Sequence, residues 1–298
     1  MRDVGDHVPR LPGGAGKFIP SGWLACQPRG SGQTEVACCA SYSSGDRRMT
    51  RTAIVTGATS GIGRATALRL AKAGFHIIAT GRNAQRGAET VRQVEAAGGT
   101  AEFHSFDVTS ESDWSAFADT VTAKHTSVDA LINSAGSFFT RPLPETTLED
   151  FRELWTADVE SVVLGTKYGF RMMRETRSAG AIVNISSLAG LIGLEDCAAY
   201  CAAKAAVTHF SRVAALEGAQ MDPKIRVNSL NPGVIYTEMI TGAYGDNDAV
   251  KAFVMDGNAL QRVGTAEDIA SAATFLACSA SRMVTGTAML VDGGRGAD

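Results

Sequence analysis

The sequence predicts an α/β fold, a single doubly wound domain in which a mainly parallel seven-stranded sheet carries helices on both faces. Two observations predict it. From Arg51 onward short β-rich runs alternate with stretches of helical period, the pattern of a parallel sheet covered on both sides. Within the first such unit, "AIVTGATSGIGRATAL" passes from a buried strand into a helix through Gly57, Gly61 and Gly63.

The elements follow in chain order. Strand-like runs are expected over 52–56 ("TAIVT"), 76–80 ("HIIAT"), 101–107, 130–133 ("ALIN"), 181–186 ("AIVNIS"), 225–231 and 288–291 ("AMLV"). Helices fill the gaps at 62–73, closed by Gly74, and at 84–97, 111–125, 148–175, 198–220 and 266–278. The segment 238–262 is the variable one, and its "GAYGDNDA" tip reads as a mobile lid between short helices. No repeat and no second core interrupts this series. Residues 1–48 differ: they hold four of the eight prolines and eight of the 32 glycines and lack a sustained period. They read as a tail without packed structure. Met49, followed by "TRTAIVTGA", reads as the natural start, and 49–298 as the domain holding both cofactor and substrate sites.

Composition excludes several function classes. With 298 residues and 45% hydrophobic positions the chain can bury a large core, about 75% of its unfolded surface. A net charge of -3 gives no field that favours nucleic acid. No apolar run reaches the roughly 18 to 20 residues of a membrane helix. Cys26, Cys38, Cys39, Cys197, Cys201 and Cys278 show neither C-x-x-C pairing nor the density of a secreted scaffold, so a reducing cytoplasm is expected. His7, His76, His104, His125 and His209 show no i, i+4 pair, and no metal site is expected.

The chemistry begins at the glycine loop. Gly57, Thr59, Ser60, Gly61, Ile62 and Gly63 follow a strand and open a helix, so backbone N–H groups and the helix dipole can face a pyrophosphate. A tight strand-to-helix turn with no ligand is the alternative. After the second strand, where an NAD enzyme places an acid, the chain has Gly81 and Arg82. Arg82 can pair with the 2'-phosphate of NADP, or it is a solvated loop residue. Asp107, beside Val108, is placed to accept a bond from an adenine amino group or to cap the following helix. "NSAG", with Asn133, Ala135 and Gly136, lets backbone pass close to a ligand, although turn chemistry alone can explain it. Ser186 and Ser187 end the fifth strand at the edge where open parallel sheets bind ligands; either can instead cap backbone groups.

In "AAYCAAKAA", Tyr200 and Lys204 lie four apart and share a helix face. A free phenol with pKa about 10 transfers protons poorly near neutrality, and a nearby ammonium favours its ionised form. Tyr200 can then serve as general acid or base towards a carbonyl or alcohol oxygen. An ordinary surface pair has the same spacing, so the partners decide.

Taken together, "TGATSGIG", "NSAG", "NISS", "YCAAK" and "NPGVIYT" resemble the short-chain dehydrogenase/reductase family, in its single-domain Rossmann-type branch of about 250 residues, over 50–294. The resemblance implies that Ser187, rather than Ser186, joins Tyr200 and Lys204 in catalysis, and that Lys204 bonds the nicotinamide ribose. It also implies that Pro232, Gly233, Ile235 and Thr237 flank the nicotinamide, that "GR" after strand two accompanies NADP, and that the assembly is a homotetramer through the two long helices and the last strand. One position departs from the family. Asp158 stands where relatives carry a catalytic Asn whose main-chain carbonyl holds a water of the proton relay, and its carboxylate is expected to favour the Lys204 ammonium.

The resulting expectation is an oxidoreductase moving hydride between NADP(H) and a secondary alcohol or carbonyl, with Tyr200 as acid/base. The substrate wall is expected from 188–194, Cys197 and 238–262, with Leu191, Ile192, Leu194 and Met239 either favouring a moderately hydrophobic small molecule or serving as ordinary packing residues. An NAD-dependent polyol or dihydrodiol dehydrogenase is the alternative within enzymes. A non-catalytic nucleotide-sensing protein on the same scaffold is the alternative outside them.

Overall fold

The computed structural model describes residues 51–255 and 257–297; the expected tail at 1–48, the start at Met49, and Cys26, Cys38 and Cys39 lie outside the described residues. Seven parallel strands form one sheet in the order β3-β2-β1-β4-β5-β6-β7. They are β1 (Arg51–Val55), β2 (Phe75–Gly81), β3 (Thr100–Ser105), β4 (Ala130–Asn133), β5 (Ala181–Ile185), β6 (Arg226–Pro232) and β7 (Ala288–Val291). Apolar side chains on both sides make the central strands nearly continuous hydrophobic runs, as a doubly covered parallel sheet requires. Strand alternation sends Ala53, Val55, Ile77, Ala79, Ile132 and Val183 to one core and Ile54, Ile78, Leu131, Ile182 and Val227 to the other.

Small residues set the first helix layer. In α1 (Gly61–Lys72), Ala67, Leu70 and Ala71 pack with Ala273, Leu276 and Ala277 of α9 (Ala266–Ala277). The latter starts at a reciprocal Thr265/Asp268 capping box. Next along this face lies α2 (Ala84–Ala96), capped by Asn83, whose side chain accepts from the Arg86 N–H. Larger side chains fill the opposite layer. Trp114, Phe117 and Val121 come from α3 (Glu111–Lys124), and Met172 and Met173 from α5 (Ser161–Glu175). Ala214 belongs to α6 (Ala198–Gly218).

The helix expected over 148–175 is interrupted. It is α4 (Leu148–Leu154), then a π-helical turn at Trp155–Glu160, then α5. This turn holds Asp158 at 0% exposure. The strand expected over 101–107 stops at Ser105, so Asp107 sits in the loop before α3. The 238–262 segment forms α7 (Glu238–Tyr244) and α8 (Asp248–Met255), joined across the predicted tip. Among the described residues no helix is long and apolar enough to cross a membrane.

Candidate active site

A cavity of about 620 Å3 runs along the carboxyl ends of the strands. Its floor begins where β1 gives way to α1. Gly57 has φ +64°, and a Cβ there would stand 2.9 Å from the Ala135 backbone; only glycine lets the two loops meet. Thr56 locks that approach, its hydroxyl accepting from the N–H groups of Ser134 and Ala135 at 3.0 and 3.1 Å. The Ser60 side chain makes no capping bond. First-turn N–H groups of α1 are therefore left for an anion. Around the loop Arg64 donates to the Thr59 carbonyl and to Thr90 Oγ1, and Thr90 in turn donates to the Ala58 carbonyl.

The cavity brings together Gly57, Thr59, Ser60, Gly61, Ile62, Gly63, Arg82, Asp107, Val108, Ala135, Gly136, Ser187, Tyr200, Lys204, Pro232, Gly233, Ile235 and Thr237. It leaves out Asn133. That side chain is buried and donates to Asn184 Oδ1 at 2.8 Å, while Asn184 donates to Ser211. Asn133 thus joins strand ends, and its side chain faces no ligand space. Asp107 accepts from the Thr109 N–H and hydroxyl at 2.9 and 2.8 Å, and these bonds pull its carboxyl below the usual range. Capping of α3 falls to Ser110 instead.

The two serines divide their work. Ser186 is buried, donating to the Lys204 carbonyl at 2.9 Å and sharing a 2.7 Å bond with Thr208. Ser187 lines the cavity and is hydrogen-bonded to Tyr200. Its position is fixed from behind, because Asn231 donates to the Ser187 carbonyl at 2.9 Å.

Lys204 is 7% exposed at its side chain and lies 3.6 Å from Asp158 Oδ1. That oxygen also accepts from the Ser137 N–H at 2.8 Å. Asp158 Oδ2 is buried with no protein partner. Burial pushes the Asp158 carboxyl up, against the pull of the Lys204 ammonium and the Ser137 N–H. For Lys204 burial acts downward, but Asp158 and Tyr200 hold it above the usual ammonium range. Burial and the Lys204 ammonium thus act in opposite directions on Asp158, while Asp158 and Tyr200 both favour the proton on Lys204. For Tyr200 the outcome differs from the sequence expectation. Its burial raises the phenol more than Lys204 and Ser187 lower it, and Asp158 adds to the rise.

Above Tyr200 the walls are apolar. Phe138 meets the Tyr200 ring edge-on at 4.9 Å, and Tyr244 lies 6.1 Å from Phe138 and 5.7 Å from Phe253. Leu188, Leu194, Cys197 and Met239 line this end, whereas Leu191 and Ile192 do not. Leu191 is instead 40% exposed, so its apolarity is not a substrate contact. Burial pushes the Cys197 thiol up to about 11, leaving it an inert packing group. Phe138 carries no signal in the sequence, since the adjacent pair Phe138 and Phe139 in a loop after "NSAG" has no periodic partner.

A family profile described as enoyl-(acyl carrier protein) reductase matches residues 57–295. The chain is 34% identical over 241 residues to a cyclopentanol dehydrogenase of Comamonas sp. (strain NCIMB 9872), covering 81% of this chain and 95% of that one. It is 32% identical over 251 residues to an NADP-dependent (R)-specific alcohol dehydrogenase of Lentilactobacillus kefiri, with 84% and 98% covered. A solved 7α-hydroxysteroid dehydrogenase, complexed with NADH and 7-oxo glycochenodeoxycholic acid, superposes with a TM-score of 0.76 at 31% identity, covering 82% and 93%. With the glycine loop and the Ser187, Tyr200 and Lys204 geometry in one cleft, these matches make the chain a member of the short-chain dehydrogenase/reductase family, an NAD(P)-dependent oxidoreductase of alcohol and carbonyl groups.

Proposed function

We propose that this enzyme interconverts an apolar, cyclic secondary alcohol and its ketone with NADP(H), using Tyr200 as general acid and base. The observation that supports this reading is Tyr200 itself, bonded to Ser187 and packed against Phe138, in a cavity that continues to the glycine loop. The cleft fits a dinucleotide: the uncapped start of α1 offers N–H groups to a pyrophosphate, and Arg82 lines the cavity with a guanidinium for a 2'-phosphate. When bound, the nicotinamide supplies or accepts the hydride.

The chain's own residues handle the proton and the geometry. Ser187 donates to the substrate oxygen and holds it beside Tyr200. In reduction the Tyr200 hydroxyl gives its proton to that oxygen; in oxidation the phenolate takes the alcohol proton. Lys204 offsets the phenolate charge across a Nζ-to-ring distance of 5.6 Å, and Asp158 keeps Lys204 charged. Phe138, Tyr244 and Phe253 exclude water and select apolar bulk. Cyclopentanol and steroid specificity among relatives supports a cyclic substrate.

NADP preference rests on Arg82 and on the cofactor named for the Lentilactobacillus relative. NAD is the second reading, favoured by the NADH bound in the steroid dehydrogenase. A panel of cyclic and acyclic ketones and alcohols with both cofactors tests substrate and cofactor together. NADPH is expected to give the higher kcat/KM, and Arg82→Ala to lower the NADPH/NADH ratio about tenfold, the loss of one charge-assisted pair. An unchanged ratio would leave Arg82 a loop residue.

The catalytic domain is proposed to occupy 49–298. Exposed Val163, Val213, Leu216 and Leu290 on α5, α6 and β7 support a homotetramer through those elements, a mass that light scattering measures. The unbridged thiols of Cys197 and Cys201 support a reducing compartment such as the cytoplasm.

A further inference from the structure

Away from the cleft, strand register assembles a second cluster of titratable groups. His76 pairs with Thr100, Ile78 with Glu102 and Thr80 with His104 across β2 and β3. Because alternate residues share a face, His76, Glu102 and His104 all join Ile78 on the side covered by α3. The C-cap of α3 is His125, which therefore arrives over the same patch. Its ring stacks on His76 with centroids 5.3 Å apart. Ligand atoms of His76, Glu102 and His125 all lie within 4.8 Å of one another.

From this geometry we infer that His76, Glu102 and His125 form a divalent transition-metal site, best suited to Zn2+. Two imidazoles and one carboxylate are a borderline donor set that suits Zn2+ and disfavours Mg2+ and Ca2+. His76 is prepared for it. Its Nδ1 lies 2.9 Å from Thr100 Oγ1, and with Nδ1–H donating there, Nε2 presents a lone pair. That Nε2 is buried and has no partner. A metal-bound histidine is held by an acceptor for its other ring N–H, most often a carboxylate, carbonyl or water, and the Thr100 hydroxyl fills that place here.

The remaining ligands need small adjustments. His125 Nε2 now lies 2.9 Å from Glu102 Oε1, and His104 Nε2 lies 3.1 Å from the same oxygen. Metal binding moves the His125 proton from Nε2 to Nδ1, and Nε2 then turns its lone pair to the ion. Tetrahedral Zn2+ wants neighbouring donors about 3.3 Å apart, so the 4.8 Å envelope must close by a modest side-chain rotation. Lys124 pairs with Glu102 Oε2; its side chain is 60% exposed and can swing into water. A water completes the fourth position. The ion would tie β2, β3 and the end of α3 together, in a place remote from the chemistry of Tyr200.

Metal-stripped full-length protein titrated with Zn2+ against a chromophoric chelator tests this. Wild type should hold one Zn2+ per chain that the His76→Ala/His125→Ala double variant lacks, while His209→Ala keeps it. Thr100→Val should weaken that equivalent about 10- to 100-fold, the effect of removing an outer partner. Co2+ should give visible absorption bands in wild type that the double variant loses. Retained coenzyme binding shows that each variant is folded, and His76→Gln replaces the alanine change if it is not. Equal Zn2+ retention by wild type and double variant, or no Zn2+ held by wild type at micromolar concentration, overturns the site.

Discussion

Two charged clusters sit on one sheet, each built on a lysine and a carboxylate, and they differ in depth and in origin. Lys204 and Asp158 lie 3.6 Å apart at the carboxyl end, with 7% and 0% of their side chains exposed. Lys124 and Glu102 pair at the β2–β3 edge, with 60% and 17% exposed. Depth decides what each pair does. Burial drives the first carboxyl up, against the pull of the Lys204 ammonium and the Ser137 N–H. At the edge, burial opposes ionisation too, but hydrogen bonds from Lys124, His125 and His104 win and bring Glu102 down to about 2. In the inner pair burial prevails over the carboxyl's partners, and in the outer one the hydrogen bonds prevail over burial.

The sharpest way to break this contrast is Tyr200→Phe. If the inner cluster exists to move a proton through Tyr200, kcat/KM for ketone reduction should fall about 10²- to 10⁴-fold, with coenzyme affinity nearly unchanged. A loss below tenfold would return the inner cluster to a structural role. Smaller is Phe138→Ala, which removes the ring standing edge-on to Tyr200. It should raise KM for cyclic ketones roughly tenfold, about 1.4 kcal/mol of lost contact, and leave short acyclic ketones nearly unaffected. Equal changes for both would show that Phe138 positions Tyr200 rather than the substrate.

Asp158→Asn tests depth directly. Asp158 raises the Tyr200 phenol by Coulomb repulsion of the phenolate. Without that carboxylate the phenolate forms at lower pH, so the acid limb of kcat/KM for alcohol oxidation should move to lower pH. An unmoved limb would mean that the Asp158 carboxyl is already neutral where Tyr200 titrates.

The two clusters also differ in how legible they were. Tyr200 and Lys204 share a helix face at a four-residue step, and Ser187 follows the end of β5 by two residues, so the inner site could be read from local spacing. The seven strands and the helices flanking them followed in the same way, because periods of 2 and 3.6 are local. The π-helical turn at Trp155–Glu160 was not legible, since the apolar pattern of 148–175 continues through it while the ladder slips by one residue. Asp158 lies within that turn, fully buried. Nor was the net rise of Tyr200, which depends on desolvation that no motif encodes. The outer cluster is the extreme case. His76, Glu102 and His125 come from two strands and a helix end, and only the β2/β3 register brings them together, so histidine spacing alone pointed to no metal.

Glu102→Gln gives the smallest effect and separates the clusters by pH. A carboxyl held at about 2 in the folded chain, against an ordinary 4.5, adds stability that is fully present above 4.5 and is lost as pH falls through about 2. Solvent reaches Lys124, so screening limits the gain to about 1 kcal/mol. In metal-free protein at neutral pH, the variant should melt about 2–4 °C below wild type, and the two should converge as pH approaches 2. Its kcat/KM should keep the wild-type pH profile, because Glu102 lies outside the cleft. Convergence of the melting curves with an intact profile would fix Glu102 as a structural charge. A shifted profile would mean that the edge and the cleft are electrostatically coupled through the sheet, and the contrast in depth would no longer separate their roles.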